Sequence, residues 1–337
     1  SALIEEAFEL HDIVLPGPIE IFTDGQAYSY RNKVEFSFWW DNDRAELDLA
    51  FFRRGTKGKI PVDDTSLARA EINVLAIEVR NLLRTKKIEA RDLKTLMVRS
   101  SQAGDVVFQL YVKDKSCQPF DEADVKSLPA IGCEVIYSDP KSPASKITKV
   151  LASFGQNKLN DSLLGHEFGY VVNGFFQVNL PVYERSLRDM KEWLSPLRGL
   201  VDLYAGVGSI GLSIGPPNTT LVEVDPFAVE EMRLNIKASD SKAKAILAAS
   251  EKALDYITSD KDIIVDPPRA GLHKDIINKL LEEKPPRIIY LSCNPVTQAR
   301  DVALLAESYG VRHHQGYNFF PRTPHIEHLI VLDLKAL

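Results

Sequence analysis

From residue 198 onward, short apolar runs alternate with stretches of helical spacing. The runs are Leu200–Tyr204, Thr220–Val224, Ala243–Leu247, Ile263–Val265, Ile288–Leu291 and Leu329–Leu334. Helical patterns separate most of them, as at Ala228–Ala238 and Lys274–Leu281. Buried apolar strands alternating with helices predict a parallel sheet covered on both faces. Such sheets take their ligands beyond the carboxyl ends of the strands. The residues that directly follow each strand are therefore the ones to read for chemistry.

Upstream the rhythm differs. Val34–Trp39 and Leu47–Phe51 flank the turn signal Asp41-Asn42-Asp43 and predict a hairpin. Asp63 or Asp64 is a candidate cap for a helix reaching about Arg84. A second hairpin is predicted from Leu93–Ser100 and Val106–Val112, then a short helix at Asp121–Leu128 and a strand at Glu134–Tyr137. The expected organisation is a tail over 1–24, an α+β domain over 25–170 and an α/β domain over 171–337. Residues 1–170 carry 22 basic and 26 acidic side chains and the remainder 19 and 21, so neither half is a wholly basic domain.

Four strand ends stand out. After Val201-Asp202-Leu203-Tyr204, the glycines Gly206, Gly208 and Gly211 fit G-x-G-x-x-G. This pattern suits a dinucleotide or an S-adenosylmethionine loop, because both need close backbone approach at a helix N-terminus. After the next strand come Glu223 and Asp225. Glu223 is expected to accept ribose hydroxyls, and Asp225, before Pro226, to cap a helix. Asp266-Pro267-Pro268-Arg269 follows the third strand, where the prolines stiffen the chain around Asp266. The fourth end is Ser292-Cys293-Asn294-Pro295, with Asn294 and Pro295 suited to start a helix. The positive end of that helix is expected to lower the Cys293 thiol pKa.

Asp-Leu-Tyr-Ala-Gly-Val-Gly at 202–208, Asp-Pro-Pro-Arg-Ala-Gly at 266–271 and Ser-Cys-Asn-Pro at 292–295 together resemble the RNA 5-methyluridine methyltransferases. Phe175-Phe176-Gln177-Val178-Asn179 and the Phe320–Glu327 segment resemble that family too. Upstream the likeness rests on Tyr30–Phe36 and Phe51–Gly55. The resemblance implies a Rossmann-like class I methyltransferase domain preceded by a smaller α+β RNA-binding domain. It implies methyl transfer from S-adenosylmethionine to C5 of a uridine in tRNA or rRNA. Gln177, Tyr204, Gly206, Glu223 and Asp266 would contact the cofactor, Phe175 and Asp266 the uracil. Cys293 would be the nucleophile and Glu327 the base; His325 and His328 flank Glu327 as possible substitutes for the base, with a structural role as their default.

Some family members carry a four-cysteine iron–sulfur cluster. The three cysteines here, Cys117, Cys133 and Cys293, cannot supply it, so no cluster or other metal is expected. Some carry an N-terminal oligonucleotide-binding barrel, for which the residues before Tyr30 are too few. Both features favour a tRNA T-loop uridine. RNA would be held by local cations: Arg53, Arg54 and Lys57 with Lys59, then Lys86, Lys87, Arg91 and Lys94. Trp39, Trp40, Phe51 and Phe52 offer stacking surface, with at least half of them expected in the core.

Nothing in the sequence suggests a membrane span or signal peptide, and the expectation is a cytoplasmic monomer. Three rival readings are a dehydrogenase, another class I methyltransferase and a catalytically silent RNA-binding protein. A dehydrogenase would leave Ser-Cys-Asn-Pro unexplained. An RNA 5-methylcytidine methyltransferase would place cysteine where Arg269 stands. A silent RNA-binding protein would have no need of both Cys293 and Glu327.

Overall fold

The computed structural model describes residues 1–143 and 145–336. It divides the chain into two compact units. One comprises Ser1–Gln26, Ser162–Phe168 and Phe175–Leu337; the other comprises Ala27–Asp161 and Gly169–Gly174.

The N-terminal segment is not a tail. Helix α1 (Ala2–Glu9) buries Ile4, Ala7 and Phe8 in the core of the first unit, and β1 (Ile21–Phe22) extends that unit's sheet. A short amphipathic helix gains its stability from such packing rather than from its own length.

The second unit contains β2 (Lys33–Asp41), β3 (Glu46–Phe52), β4 (Lys59–Val62), α2 (Ala70–Thr85), β5 (Leu93–Ser100), β6 (Val106–Val112), α3 (Glu122–Ser127), β7 (Gly132–Tyr137) and β8 (Lys149–Gly155). Its sheet runs β4-β3-β2-β5-β6-β7-β8. Among the described residues only β6 and β7 pair in parallel within it, and α3 lies in the connection that parallel pairing requires. Ile72, Leu75, Val79 and Leu83 of α2 share one core with Phe36, Phe38, Leu96 and Phe108 of the sheet. Helix α2 starts at Ala70, later than the acids at 63 and 64 suggest; Asp63 instead pairs with Arg80 at 2.9 Å. Trp40 and Phe51 pack on the core, whereas Trp39 and Phe52 are exposed, matching the expected split.

Strands β9 (Lys158–Leu163) and β10 (His166–Val171) form a two-stranded sheet. The first unit then continues with α4 (Leu180–Trp193), β11 (Gly199–Leu203), α5 (Ser209–Ile214), β12 (Thr220–Glu223), α6 (Pro226–Ala238), β13 (Lys244–Leu247), β14 (Lys261–Val265), α7 (Lys274–Glu283), β15 (Arg287–Ser292), α8 (Pro295–Leu305), β16 (Tyr309–Tyr317) and β17 (Glu327–Leu334). The sheet order is β1-β16-β17-β15-β14-β11-β12-β13.

Strands β11 to β15 are mutually parallel, as the alternating rhythm predicts. Strand order reverses between β11 and β14, which opens a crevice at their carboxyl ends. Strand β17 runs antiparallel to both β15 and β16. Its first residue therefore lies at the same sheet edge as the last residues of the parallel strands. That reversal brings the C-terminal segment to the crevice.

Candidate active site

The glycine loop begins with a backbone constraint. Tyr204 has φ 65°, in a region costly for a residue with a Cβ, and Gly206 has φ 56°. A Cβ built on Gly206 would meet nothing within 4 Å, so the loop leaves open space there. Gly211 is the opposite case: its Cβ would stand 2.3 Å from Leu221 Cδ2 and 3.0 Å from Asp202 Oδ2. Helix α5 can thus lie close against the sheet only with glycine at that position.

Two carboxylates brace the loop. The Gly211 N–H donates to Asp202 Oδ2 at 2.9 Å. Gly206 N–H donates to Glu223 Oε2 at 2.9 Å, and the N–H groups of Val224 and Asp225 donate to Glu223 Oε1 at 2.8 Å each. Asp225 accepts from Phe227 N–H at 3.0 Å and caps α6, with Pro226 following it, as the sequence suggests.

Across the crevice, the loops after β14 and β15 are tied together. Asn294 caps α8 by accepting from Val296 N–H, and its Nδ2 donates to the Arg269 carbonyl at 2.9 Å. Thr297 Oγ1 donates to the same carbonyl at 3.1 Å. The Arg269 guanidinium reaches His325 at 3.1 Å. Ser292 pairs with His328 in the antiparallel register, so the next residues outward on the two strands are Cys293 and Glu327. Asp266 follows Val265, whose register partner in β15 is Tyr290.

The field at this edge is acidic and poorly solvated. Burial raises Asp202 to about 8, with Asp266 and Glu223 adding to the shift and the Gly211 hydrogen bond opposing it. Burial raises Asp266 to about 7. Glu327, only 4% exposed, is raised well above the ordinary carboxylate range by burial and then by Asp266; Arg269 opposes this.

The Cys293 thiol is also raised, against the expectation from the α8 terminus. Burial is the largest cause, and the charges of Glu327 and Asp266 add to it; Arg269 pulls the other way. Desolvation and two nearby carboxylates outweigh the Arg269 charge and the local backbone hydrogen bond.

A family model described as tRNA (Uracil-5-)-methyltransferase matches residues 251–335. An uncharacterized RNA methyltransferase of Lactiplantibacillus plantarum is 30% identical over 330 residues, spanning 90% of this chain and 71% of that protein. The chain belongs to the RNA (uracil-5-)methyltransferase family. Another uncharacterized RNA methyltransferase, from Lactobacillus johnsonii, is 28% identical over 334 residues, spanning 92% of this chain and 71% of that protein. Among solved structures, the tRNA (uracil-54, C5)-methyltransferase of Pyrococcus abyssi, in complex with S-adenosyl-L-homocysteine, aligns with a TM-score of 0.83 at 22% identity. The alignment covers 98% of this chain and 83% of that one, and shows a shared fold.

In this RNA methyltransferase, Gln177 is buried and Phe175 is 68% exposed, both in the segment that leads into α4. Asn179 secures that segment by donating from Nδ2 to the Phe319 carbonyl at 3.3 Å. Asn179 Oδ1 is buried without a hydrogen-bond partner. Arg53, Arg54 and Lys57 are exposed around the β3–β4 turn of the other unit. Lys59 is committed to the Phe38 carbonyl at 2.7 Å and lies over the Phe52 ring. In the second basic cluster, Lys86 pairs with Asp124, and Lys94 donates to Ser138, Asp139 and Ser142. Those two lysines hold the fold.

His328 is structural. It is fully buried, pushed down to about 3 by burial and the nearby histidines, and joined to Gln298 at 2.7 Å and His314 at 3.3 Å.

Two further residues carry no separate role in the sequence patterns. Asp202 lies within the loop motif, yet it is fully buried with Oδ1 unpaired. An acid inside the apolar run Leu200-Val201-Asp202-Leu203 is the signal that marks it. Tyr183, buried in α4, bonds Ser209 Oγ at 2.7 Å and feels Asp266, Asp202 and Glu327. Nothing in its local sequence distinguishes it from a core tyrosine.

Proposed function

We propose that this protein methylates C5 of the T-loop uridine of tRNA, using S-adenosylmethionine and a covalent bond between Cys293 and C6 of the base. The observation that carries this reading is the β15–β17 register: a strand-end thiol and a buried carboxyl are successive neighbours at the crevice, with Asp266 beside them. The iron–sulfur-free cysteine set and the likeness to a tRNA uracil-54 enzyme support tRNA over rRNA.

The residues at the glycine loop fit the cofactor. Glu223 is oriented by three backbone N–H groups and keeps acceptor capacity for ribose hydroxyls. Open space beside Gly206 admits close approach, and Tyr204 and Gln177 would line the remainder. When bound, S-adenosylmethionine supplies an electrophilic methyl group.

C5 of uracil is too weakly nucleophilic to take that methyl unaided. Cys293 Sγ, as thiolate, forms a bond to C6, and the displaced electron pair makes C5 enolate-like. C5 then bonds the methyl carbon as the methyl–sulfur bond breaks, its electron pair leaving with the neutral thioether product. Glu327, as carboxylate, removes the C5 proton; the electron pair re-forms the C5–C6 double bond and expels the Cys293 thiolate. Asp266 hydrogen-bonds the uracil edge. Phe175 stacks on the base after it leaves the RNA stack, and Arg53, Arg54 and Lys57 hold phosphates.

Purified protein with labelled S-adenosylmethionine and unmodified tRNA should give 5-methyluridine in the T-loop. Product in an rRNA fragment but not in tRNA would overturn the substrate assignment; no 5-methyluridine in any RNA would overturn the reaction. Cys293→Ala should abolish the stable adduct with 5-fluorouridine RNA, and persistence of that adduct would remove Cys293 as nucleophile. Glu327→Gln should accumulate a methylated protein–RNA intermediate, whereas rapid turnover would remove Glu327 as base.

A further inference from the structure

The motif at 266–271 ends in a glycine to which the proposed chemistry gives no role. Gly271 has φ 81°, and a Cβ built on it would stand 2.5 Å from Asp301 Oδ2 and 2.6 Å from Arg300 Nη2. Any side chain there would push aside an ion pair of α8 that sits directly over it. Asp301 is fully buried, and both of its carboxylate oxygens are occupied. Oδ2 accepts from Leu272 N–H at 2.7 Å and from the Tyr290 hydroxyl of β15 at 2.9 Å. Oδ1 accepts from Arg300 Nη2 at 2.7 Å and from Arg300 Nε at 2.9 Å. Arg300 Nη2 also donates to the Ala270 carbonyl at 2.9 Å.

Asn294, Thr297, Arg300 and Asp301 recur at helical spacing and so share one face of α8. Between them they hold consecutive groups of one loop: the Arg269 carbonyl, the Ala270 carbonyl, the Gly271 seat and the Leu272 N–H. Asn294 and Thr297 tie the near end with neutral hydrogen bonds. The far end contains the glycine, the freest joint of the loop, and there the restraint is a charged pair. The side chain that this loop delivers is Arg269. It contacts His325 at 3.1 Å and acts as a cation on both Cys293 and Glu327. We infer that Arg300 and Asp301 are positioning residues for methyl transfer: seated on Gly271, they stop the loop from hinging and hold the Arg269 guanidinium at the edge where Cys293 and Glu327 lie. The catalytic part of this inference rests on the proposed roles of Cys293 and Glu327; the placement of Arg269 does not.

Arg300→Gln removes the pair at a position where 46% of the side chain is exposed. Arg300→Gln with Asp301→Asn removes it without stranding a buried charge, and is read in the same way. In RNA-free protein near neutral pH, alkylation of Cys293 by iodoacetamide, followed by mass spectrometry, should slow about threefold or more, because a displaced Arg269 no longer favours the thiolate. Single-turnover methylation at saturating tRNA and S-adenosylmethionine should slow on the order of tenfold, with both half-saturation concentrations unchanged. In an Arg269→Gln background the same change should add nothing, since the pair acts through Arg269. An undiminished alkylation rate in either folded variant overturns the inference. Equal slowing with and without Arg269 overturns it too, as does a loss carried by half-saturation alone. If the unmodified protein forms no 5-methyluridine, the methyl-transfer reading itself fails, while alkylation still decides whether the pair places Arg269.

Discussion

Asn294 joins helix α8 to the Arg269 loop, and its two ends can be tested separately. Its Oδ1 caps α8 through Val296 N–H, and its Nδ2 holds the Arg269 carbonyl at 2.9 Å. Losing a cap costs about 1 kcal/mol, and losing a side-chain hydrogen bond to backbone costs about 1 kcal/mol more. Asn294→Ala should therefore lose about 2 kcal/mol, which in a unit of this size lowers the melting temperature by roughly 4–8 °C. Asn294→Asp keeps the cap acceptor and places charge favourably at a helix N-terminus, so it should lose about half as much. In methyl transfer the order should reverse. An added carboxylate beside Cys293 disfavours the thiolate further, so the Asp variant should be slower than the Ala variant at pH 7. Thermal melts and single-turnover methylation read the two effects. An Ala variant melting within about 1 °C of the parent would refute the energetic reasoning. An Asp variant faster than Ala would refute the electrostatic one.

Gly211→Ala should destabilise the first unit by about 1–3 kcal/mol in urea, because the new methyl overlaps Leu221; an unchanged midpoint would contradict the packing described. His328→Ala should cost about 2–4 kcal/mol by stranding Gln298 and His314 in the core, while folded protein keeps its methylation rate. A lost rate at full occupancy of the native state would return His328 to the chemistry. Asp202 and Asp266, at about 8 and about 7 in the folded protein, lie above their unfolded values near 4. Between those limits the native state binds more protons than the unfolded chain, so stability is greatest at the acid end and falls as pH rises towards 8. The melting temperature of cofactor-free protein should therefore decline from pH 5 to 8.5, less steeply in Asp202→Asn; a rise would contradict the buried-acid assignment.

The parts of the fold visible in the sequence are those set by local pattern. Strands β11, β12, β14 and β15 read clearly because each is a short, mostly apolar run bounded by polar or turn-forming residues. Strand β16 did not, since Tyr309–Tyr317 includes Arg312, His313, His314 and Gln315 and lacks both periodicities. The N-terminal helix was hidden by its shortness; only its burial against the catalytic core reveals why it forms. An acid at 63 or 64 makes as good a cap on paper as any, but Asp63 in the fold pairs with Arg80 and α2 starts at Ala70. Strand direction is also absent from local pattern. Sequence brings Cys293 and Glu327 into one motif set, but the antiparallel placement of β17 that makes them neighbours is a property of the sheet.

The sign of the Cys293 shift shows the same division and has a consequence for catalysis. The α8 terminus is a local feature and favours a thiolate; burial and the charges of Glu327 and Asp266 are tertiary and oppose it. The tertiary effects raise the Cys293 thiol, and burial with Asp266 raises the Glu327 carboxyl. On the proposed mechanism both groups act ionised. Arg269 lowers Cys293 and Glu327 alike, and its loop is fixed by Asn294, Thr297 and His325. On the proposed mechanism Arg269 therefore favours the ionised form of both acting groups, against the burial and the carboxylates that oppose it.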